Sequence, residues 1–428
     1  MTKDLAATTD LLDQRQTLRI ITWRLIPFMM LLYFIAFLDR VNVGFAALKM
    51  NQAIRIGDTL YGFGTGAFFL GYFLFEVPSN LFLDRFGARR WISRIMISWG
   101  IVSAAMALAR GPLSYISLRV LLGIAEAGFF PGMILYLTYW FPAASRARMT
   151  ALFIAAIPIS SVLGLPLSGL IMRLNGKMGL QGWQWLFILE GLPAVLVGVT
   201  VPFLLTDRPA QARWLKPHQS QRLQETLDSE ARPKPHLPLI QALFHPSILV
   251  LSGVYFCMMV GLYVLGFWMP KVLQARSRLT DTQISLVGVI PYAIGALTMF
   301  FWGRHSDHTG ERPWHVAIAM ITGCGGLTLL AATTGIHAAL IGFVLVSVGI
   351  FCAMPTFWPL PSVRLRGTAA AGGIAVVNSV GNLGGFVGPY IVGAIKDTRL
   401  GLAGGLYTTA ILMLIGALLV IFSASRNQ

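Results

Sequence analysis

Charge is scarce in this sequence. Asp, Glu, Lys and Arg together make up 12% of its 428 residues, about half the share found in soluble domains. Cysteine is nearly absent. Cys257, Cys324 and Cys352 each fall inside an apolar run, so they read as small packing residues and exclude a disulfide framework. Alternating segments of about ten residues are missing, which excludes a β-barrel. No Walker-type phosphate loop is present, and Gly62, Gly64 and Gly66 follow no strand, so ATP hydrolysis is not expected. The net charge is +16, but no basic patch is interleaved with aromatics, and nucleic-acid binding is excluded on that ground. Residues 1–24 are polar and the first apolar run is long enough to span a bilayer, so no cleavable signal peptide is expected. His305 and His308 flank Asp307 and read as a solvated turn, not a metal site.

What the chain has in quantity is apolar length. Hydrophobic residues make up 56% of it and the mean hydropathy is +0.69. A spanning helix needs roughly 20 apolar residues. Twelve spans are predicted, at 25–46, 62–83, 91–109, 113–141, 149–172, 184–205, 247–269, 283–302, 314–334, 337–361, 368–395 and 402–424. One long polar gap interrupts them. The expected organisation is therefore an N-terminal segment (1–24), a six-helix bundle (25–205), a central loop (206–246) and a second six-helix bundle (247–424). With an even number of spans both termini share one side. That side carries 21 of the 33 Lys and Arg residues, so the termini and the central loop are expected in the cytoplasm.

The halves repeat. NLFLDRFGARR closes span 2 and GRHSDHTGER closes span 8. Both contain D-x-x-G-x-R: Asp84, Gly87 and Arg89, with Arg85 inside the motif, and Asp307, Gly310 and Arg312. A second match pairs Trp140, Arg146, Arg148 and Ala151 with Trp358, Arg364, Arg366 and Ala369. Two matches at corresponding turns argue for duplicated bundles. Glycine permits the tight bend between helices, and the Asp can pair with nearby Arg side chains and helix ends. This duplicated turn resembles that of the major facilitator superfamily. Asn80 replaces the leading Gly of the first copy, whereas the second keeps Gly303.

Six ionisable residues lie well inside spans: Asp39 and Arg40 in FLDRVNVGF, Glu76, Arg119, Glu126 and Glu190. All are in the first half. Each costs several kcal/mol in hydrocarbon, about 2.5–3.5 at the low end, so the first half is expected to enclose a polar cavity and the second to offer uncharged contacts. Arg119 and Glu126 are seven apart, hence on one helical face but about 10 Å apart along the axis. Each needs a partner elsewhere. Gly128, Pro131 and Gly132 can loosen the helix after Glu126. Asp39 and Arg40 point ~100° apart and read as two functions at one depth, with partners expected on span 4. Four carboxylates face two guanidiniums. Arginine effectively keeps its proton, whereas a carboxylate in a low-dielectric site can take one up. A planar guanidinium grips a carboxylate with two prongs. The set predicts a proton-coupled carrier of carboxylate anions. A plainer reading makes the group structural ion pairs, such as Asp39 with Arg119. Glu76, beside Pro78, is equally readable as structural, and Glu190 reads as a brace for span 6.

FLDRVNVG, GYFLFEVPSN, RVLLGIAEAGFFPG, GWQWLFILEGLPA, LTDRPAQARWL and NSVGNLGGFVGPY are similar to the anion:cation symporters of that superfamily, in the branch of tartrate, phthalate and 4-hydroxyphenylacetate permeases. The resemblance implies that Asp39 and Glu126 are the proton-linked carboxylates, that Arg40 and Arg119 meet the anion, and that Tyr72 and Asn378 help hold it. Phe37 stands where sugar-acid carriers of the family have Tyr, which favours a less hydroxylated or an aromatic acid. Thr356, Phe357 and Trp358 either wall the cavity or place a Trp at the membrane interface. Asn378 and Asn382 sit among Gly381, Gly384, Gly385 and Gly388, whose usual role is close helix packing. A buried Asn without a partner costs free energy, so one of the two is expected to face the cavity.

The expected molecule is all-α and polytopic, with twelve transmembrane helices in two pseudo-symmetric bundles. It is a carrier and not an enzyme. It imports a small organic anion with protons by alternating access, needs no cofactor beyond the proton, works as a monomer and sits in the cell inner membrane. An exporter or exchanger of the same fold is the alternative, against which Arg40 and Arg119 count. A membrane sensor would need a soluble domain larger than the central loop.

Overall fold

A computed structural model describes residues 2–230, 245–360 and 368–425. Arg364 and Arg366 of the second repeat lie outside the described residues, as does 231–244 of the central loop. Among the described residues every regular element is a helix. Eleven segments are long and apolar enough to cross a membrane.

In the first half, α1 runs over Thr2–Ala53, α2 over Asp58–Phe86, α3 over Ala88–Ala105, α4 over Pro112–Glu126 and α5 over Phe129–Thr138. Then come α6 (Ala143–Ile154), α7 (Ala156–Ile171) and α8 (Gly182–Leu204). A short surface helix, α9, covers Pro217–Glu230. The second half holds α10 (Pro246–Arg276), α11 (Asp281–Thr309), α12 (Arg312–Ala332), α13 (Ile336–Phe357), α14 (Thr368–Asn382), α15 (Gly384–Lys396) and α16 (Gly401–Ser425).

Three predicted spans are broken, and two of the breaks have a simple cause. Proline cannot donate to the carbonyl four residues back. Pro131 leaves the carbonyl of Ala127 free, and the fourth span divides there, with Gly128 at φ +84°. Pro158 does the same to Ile154, and the fifth span divides at Ala155. The eleventh span is two helices of 15 and 13 residues around Leu383, amid the weak helix formers Gly381, Gly384 and Gly385. This pair makes the twelfth crossing. In α1 the helix continues through the polar residues before position 25, where the sequence suggests a separate segment.

Within each half the helices pack on one another, and the halves meet through α1 with α10, α2 with α15, and α7 with α11. Leu297, Phe300 and Phe301 of α11 are 65–67% exposed, which water would penalise and acyl chains accept. Buried residues sit at the helix contacts. At the α2–α4 contact a Cβ on Gly123 would lie 1.9 Å from the carbonyl oxygen of Phe68. Backbone cannot yield as a side chain can. Gly123→Ala is therefore expected to part the helices and destabilise the protein by about 1–3 kcal/mol, read as a lower melting temperature in detergent; an unchanged melt would show that the two helices do not touch there.

α9 belongs to the first half. Gln219 donates to Asp13 of α1 at 3.1 Å. Glu230 accepts the Ala143 N–H at 3.0 Å, at the start of α6, and lies 3.5 Å from Arg146.

Candidate substrate site

A helix rises 1.5 Å per residue, which fixes the depth of each polar group. Arg40 is 13 residues before the end of α1, Tyr72 is 14 after the start of α2, and Glu126 is 14 after the start of α4. Tyr263 is 13 before the end of α10. All four lie roughly 20 Å from the face opposite the chain termini, at one level in the middle of the bundle.

That level holds Asp39, Arg40 and Glu126, with Arg119 two turns, roughly 10 Å, nearer the face opposite the termini. Asp39, Arg119 and Glu126 are fully buried, and Arg40 is 6% exposed. The Arg40 guanidinium donates through Nη2 to Glu126 Oε1 and through Nη1 to the Tyr263 hydroxyl at 3.2 Å. It also sits 5.3 Å from the ring centre of Phe68 and 5.5 Å from that of Tyr72, within cation–π range. Arg119 donates through Nη2 to the carbonyl of Thr65 at 3.0 Å and lies 5.1 Å from the same Phe68 ring. One aromatic ring thus lies within cation–π range of two guanidiniums. Asp39 accepts at Oδ1 from the Ser103 hydroxyl and from the Asn42 amide, the latter at 3.2 Å.

These groups are incompletely satisfied. Arg40 Nε, Arg119 Nε and Nη1, Asp39 Oδ2 and Glu126 Oε2 have no hydrogen-bond partner among the described residues. Buried polar atoms are usually paired, and a buried charge without full compensation costs several kcal/mol. A cluster with spare donors and acceptors of both signs can take up a further polar ligand or water.

The second half supplies uncharged partners. Besides Tyr263, Asn378 donates to Glu76 Oε1 at 3.1 Å and Ser379 donates to Glu76 Oε2 at 2.9 Å. Glu76 is four residues beyond Tyr72 on α2, so roughly 6 Å closer to the face that carries the termini. It joins the halves there.

The structure changes several expected relationships. Asp39 and Arg119 form no ion pair among the described residues; Ser103 and Asn42 hold the carboxylate, and Thr65 takes the guanidinium. Thr356 bonds back to Cys352 and Ala353 of its own helix, both at 3.0 Å. Trp358 packs 4.9 Å from the Tyr255 ring, beside Phe357. Both lie roughly 30 Å from the start of α13, about 10 Å off the level of Arg40. Asn382 is the half-buried last residue of α14. Glu190 accepts from Ser168 at 2.7 Å and ties α8 to α7, as a brace would.

In the repeated turns, Gly87 (φ +86°) and Gly310 (φ +73°) both have the positive φ that favours glycine. Their partners differ. In the second copy Arg312 lies 3.4 Å from Asp307. In the first, Arg89 lies 3.2 Å from Asp207, whose other oxygen accepts the Arg89 N–H at 2.9 Å. Asp84 accepts from Tyr139 at 3.3 Å, and Arg85 stacks on Phe86. Asp207 therefore caps α3, and Asp207→Ala is expected to cost about 1 kcal/mol. A melt of the variant unchanged from wild type would show that the cap contributes nothing.

Tyr263, Ser103, Thr65, Ser379 and Asp207 were not evident from the sequence as site residues. Their signal is weak. A lone hydroxyl in an apolar run costs little, so it does not mark itself as a charge does, and Asp207 sits in a polar loop where a charge is ordinary.

The chain matches the family model described as Major Facilitator Superfamily over residues 29–389. It is 50% identical over 427 residues to a protein of Agrobacterium vitis named "Putative tartrate transporter", covering 99% of this chain and 94% of that one. It is 39% identical to a "Quinolone resistance transporter" of Acinetobacter baumannii, covering 97% of each. Its fold matches a bacterial homolog of the human lysosomal transporter Spinster with a TM-score of 0.75, at 18% identity, over 94% of this chain and 96% of that one. With the buried polar level and the apolar exterior, these matches place the chain in the major facilitator superfamily, as a polytopic membrane transporter of small molecules and not an enzyme.

Proposed function

We propose that this transporter imports a small organic carboxylate together with protons. The observation that carries the reading is the buried Arg40–Glu126 pair, with Asp39 at the same level, Arg119 roughly 10 Å nearer the face opposite the termini, and spare polar atoms on all four. A carboxylate substrate competes with Glu126 for Arg40. Glu126 displaced from a buried guanidinium is disfavoured as an anion in that site, so it takes a proton. Substrate and proton then load together. Arg119, with two unpartnered nitrogens, offers the second prong. Tyr263 reports the event to the second half through its bond to Arg40. Glu76 with Asn378 and Ser379 joins the halves on the side of the termini and opens when the bundles rock. One chain supplies both walls of the site, so a monomer suffices. The Lys and Arg distribution supports cytoplasmic termini, and bacterial relatives support the plasma membrane.

Tartrate is the first candidate, because the Agrobacterium vitis relative bears that name. The test is uptake into proteoliposomes with an imposed pH gradient, using tartrate, phthalate, 4-hydroxyphenylacetate and a sugar acid, after a thermal-shift screen with the same panel. Accumulation of one acid that collapses with a protonophore supports the reading; uptake of none of them sinks it. The exporter reading draws on the Acinetobacter baumannii relative. Drug efflux without carboxylate uptake is the result that would favour it.

A further inference from the structure

At the face opposite the termini a second charged cluster joins the halves. Asp58, at the start of α2, accepts from Lys271 of α10 and lies 2.5 Å from Lys396 of α15. Asp397, just past α15, accepts the Thr59 N–H at 2.9 Å and the Thr59 hydroxyl, so a carboxylate of one half caps a helix of the other. Lys271, Asp58 and Lys396 side chains are only 16%, 20% and 30% exposed. The Trp268 ring lies 5.2 Å from Nζ of Lys271 and 5.5 Å from Nζ of Lys396. Trp268 is 1% exposed, and its Nε1–H has no acceptor among the described residues.

The two lysines and the tryptophan belong to the second half, and the carboxylate that occupies them belongs to the first. Backbone packs closely around this seam. A Cβ on Gly393 would lie 2.3 Å from the carbonyl oxygen of Asp58, and one on Gly44 would lie 2.5 Å from that of Gly266. The mouth is shut. When the halves part, Asp58 leaves with α2. Two ammonium groups then face the opening beside one carboxylate, Asp397, which stays with the second half and gives up its Thr59 bonds; the cluster keeps a net positive charge, and the Trp268 N–H beside it still lacks an acceptor.

We infer that Lys271, Lys396 and Trp268 form a second carboxylate-binding site at this mouth, which Asp58 fills as a built-in ligand when the mouth is closed. An incoming organic anion occupies it first and passes to Arg119, roughly 10 Å deeper, and Arg40, roughly 20 Å deeper. Two half-buried ammoniums are less screened than surface lysines, and a charged funnel raises the local concentration of the opposite charge. The inference rests on the proposed transport of carboxylates.

The test measures initial uptake through this mouth for the panel acid that wild type takes up fastest, at low and high ionic strength. In K271Q/K396Q the KM is expected to rise roughly tenfold at low salt, with the difference closing at high salt. K271R/K396R should stay near wild type. In Asp58→Asn the KM is expected to fall below wild type, because the competing carboxylate is gone. A cluster that only latches the mouth would move both kinds of variant in the same direction, since either substitution breaks the latch; that result overturns the site. If the glutamine variant does not fold, Asp58→Asn decides alone, and a raised KM there overturns the inference. Carboxylate uptake by wild type with no change in any variant defeats this inference but leaves the function intact. No carboxylate uptake by wild type defeats both.

Discussion

Arg119→Ala is expected to abolish carboxylate uptake while leaving the folded protein intact. The side chain is fully buried, with one nitrogen on the Thr65 carbonyl and two unpartnered. A hydrogen bond to a charged group contributes about 1.5–3 kcal/mol. Losing a two-pronged grip removes about 3–6 kcal/mol of substrate binding, a hundredfold or more in affinity. Arg119→Lys should recover only part of this, because a point charge cannot reproduce the planar fork. The measurement is uptake in proteoliposomes beside a melting curve. Near-normal uptake by the alanine variant would remove Arg119 from the binding role. Lost uptake together with a collapsed melt would assign it to structure.

Glu126→Gln is expected to uncouple the carrier from the proton gradient. Glutamine keeps the size of the side chain and can still accept from Arg40, so the Arg40–Tyr263 bond survives. What it cannot do is exchange a proton. Accumulation against a concentration gradient should fall to the diffusive level, whereas exchange of labelled for unlabelled substrate should persist. Asp39→Asn is the natural companion. Asp39 already accepts from Ser103 and Asn42 and keeps Oδ2 unpartnered, so its loss tests whether a second carboxylate shares the proton. If Glu126→Gln still concentrates the acid when a pH gradient is imposed, coupling lies elsewhere.

Much of the candidate site was legible because bilayers make charge conspicuous. Asp39, Arg40, Arg119 and Glu126 stand out in apolar runs, and helical spacing puts Arg119 and Glu126 on one face. The helix loosened after Glu126 as Pro131 and Gly128 suggested. Partner choice was not legible. Arg40 rather than Arg119 takes Glu126, and Asp39 takes a serine from α3 and an asparagine one turn away. Thr356 and Trp358, offered by their neighbourhood in sequence, sit off the level of the charges because α13 carries them too far along its axis. Tyr263, with one hydroxyl in an apolar run, carried only a weak signal.

Sequence alone therefore determined the number of membrane crossings, the six-plus-six pattern and the depth of each charge. These depend on local quantities: the length of apolar runs, the rise per residue and the cost of charge in hydrocarbon. Tertiary structure alone decided which donor meets which acceptor, where the halves are joined, and that Asp58 rests on lysines from the other half. Those contacts join residues up to 338 positions apart, and they depend on how helices rotate and cross when their surfaces pack. No local pattern encodes that rotation.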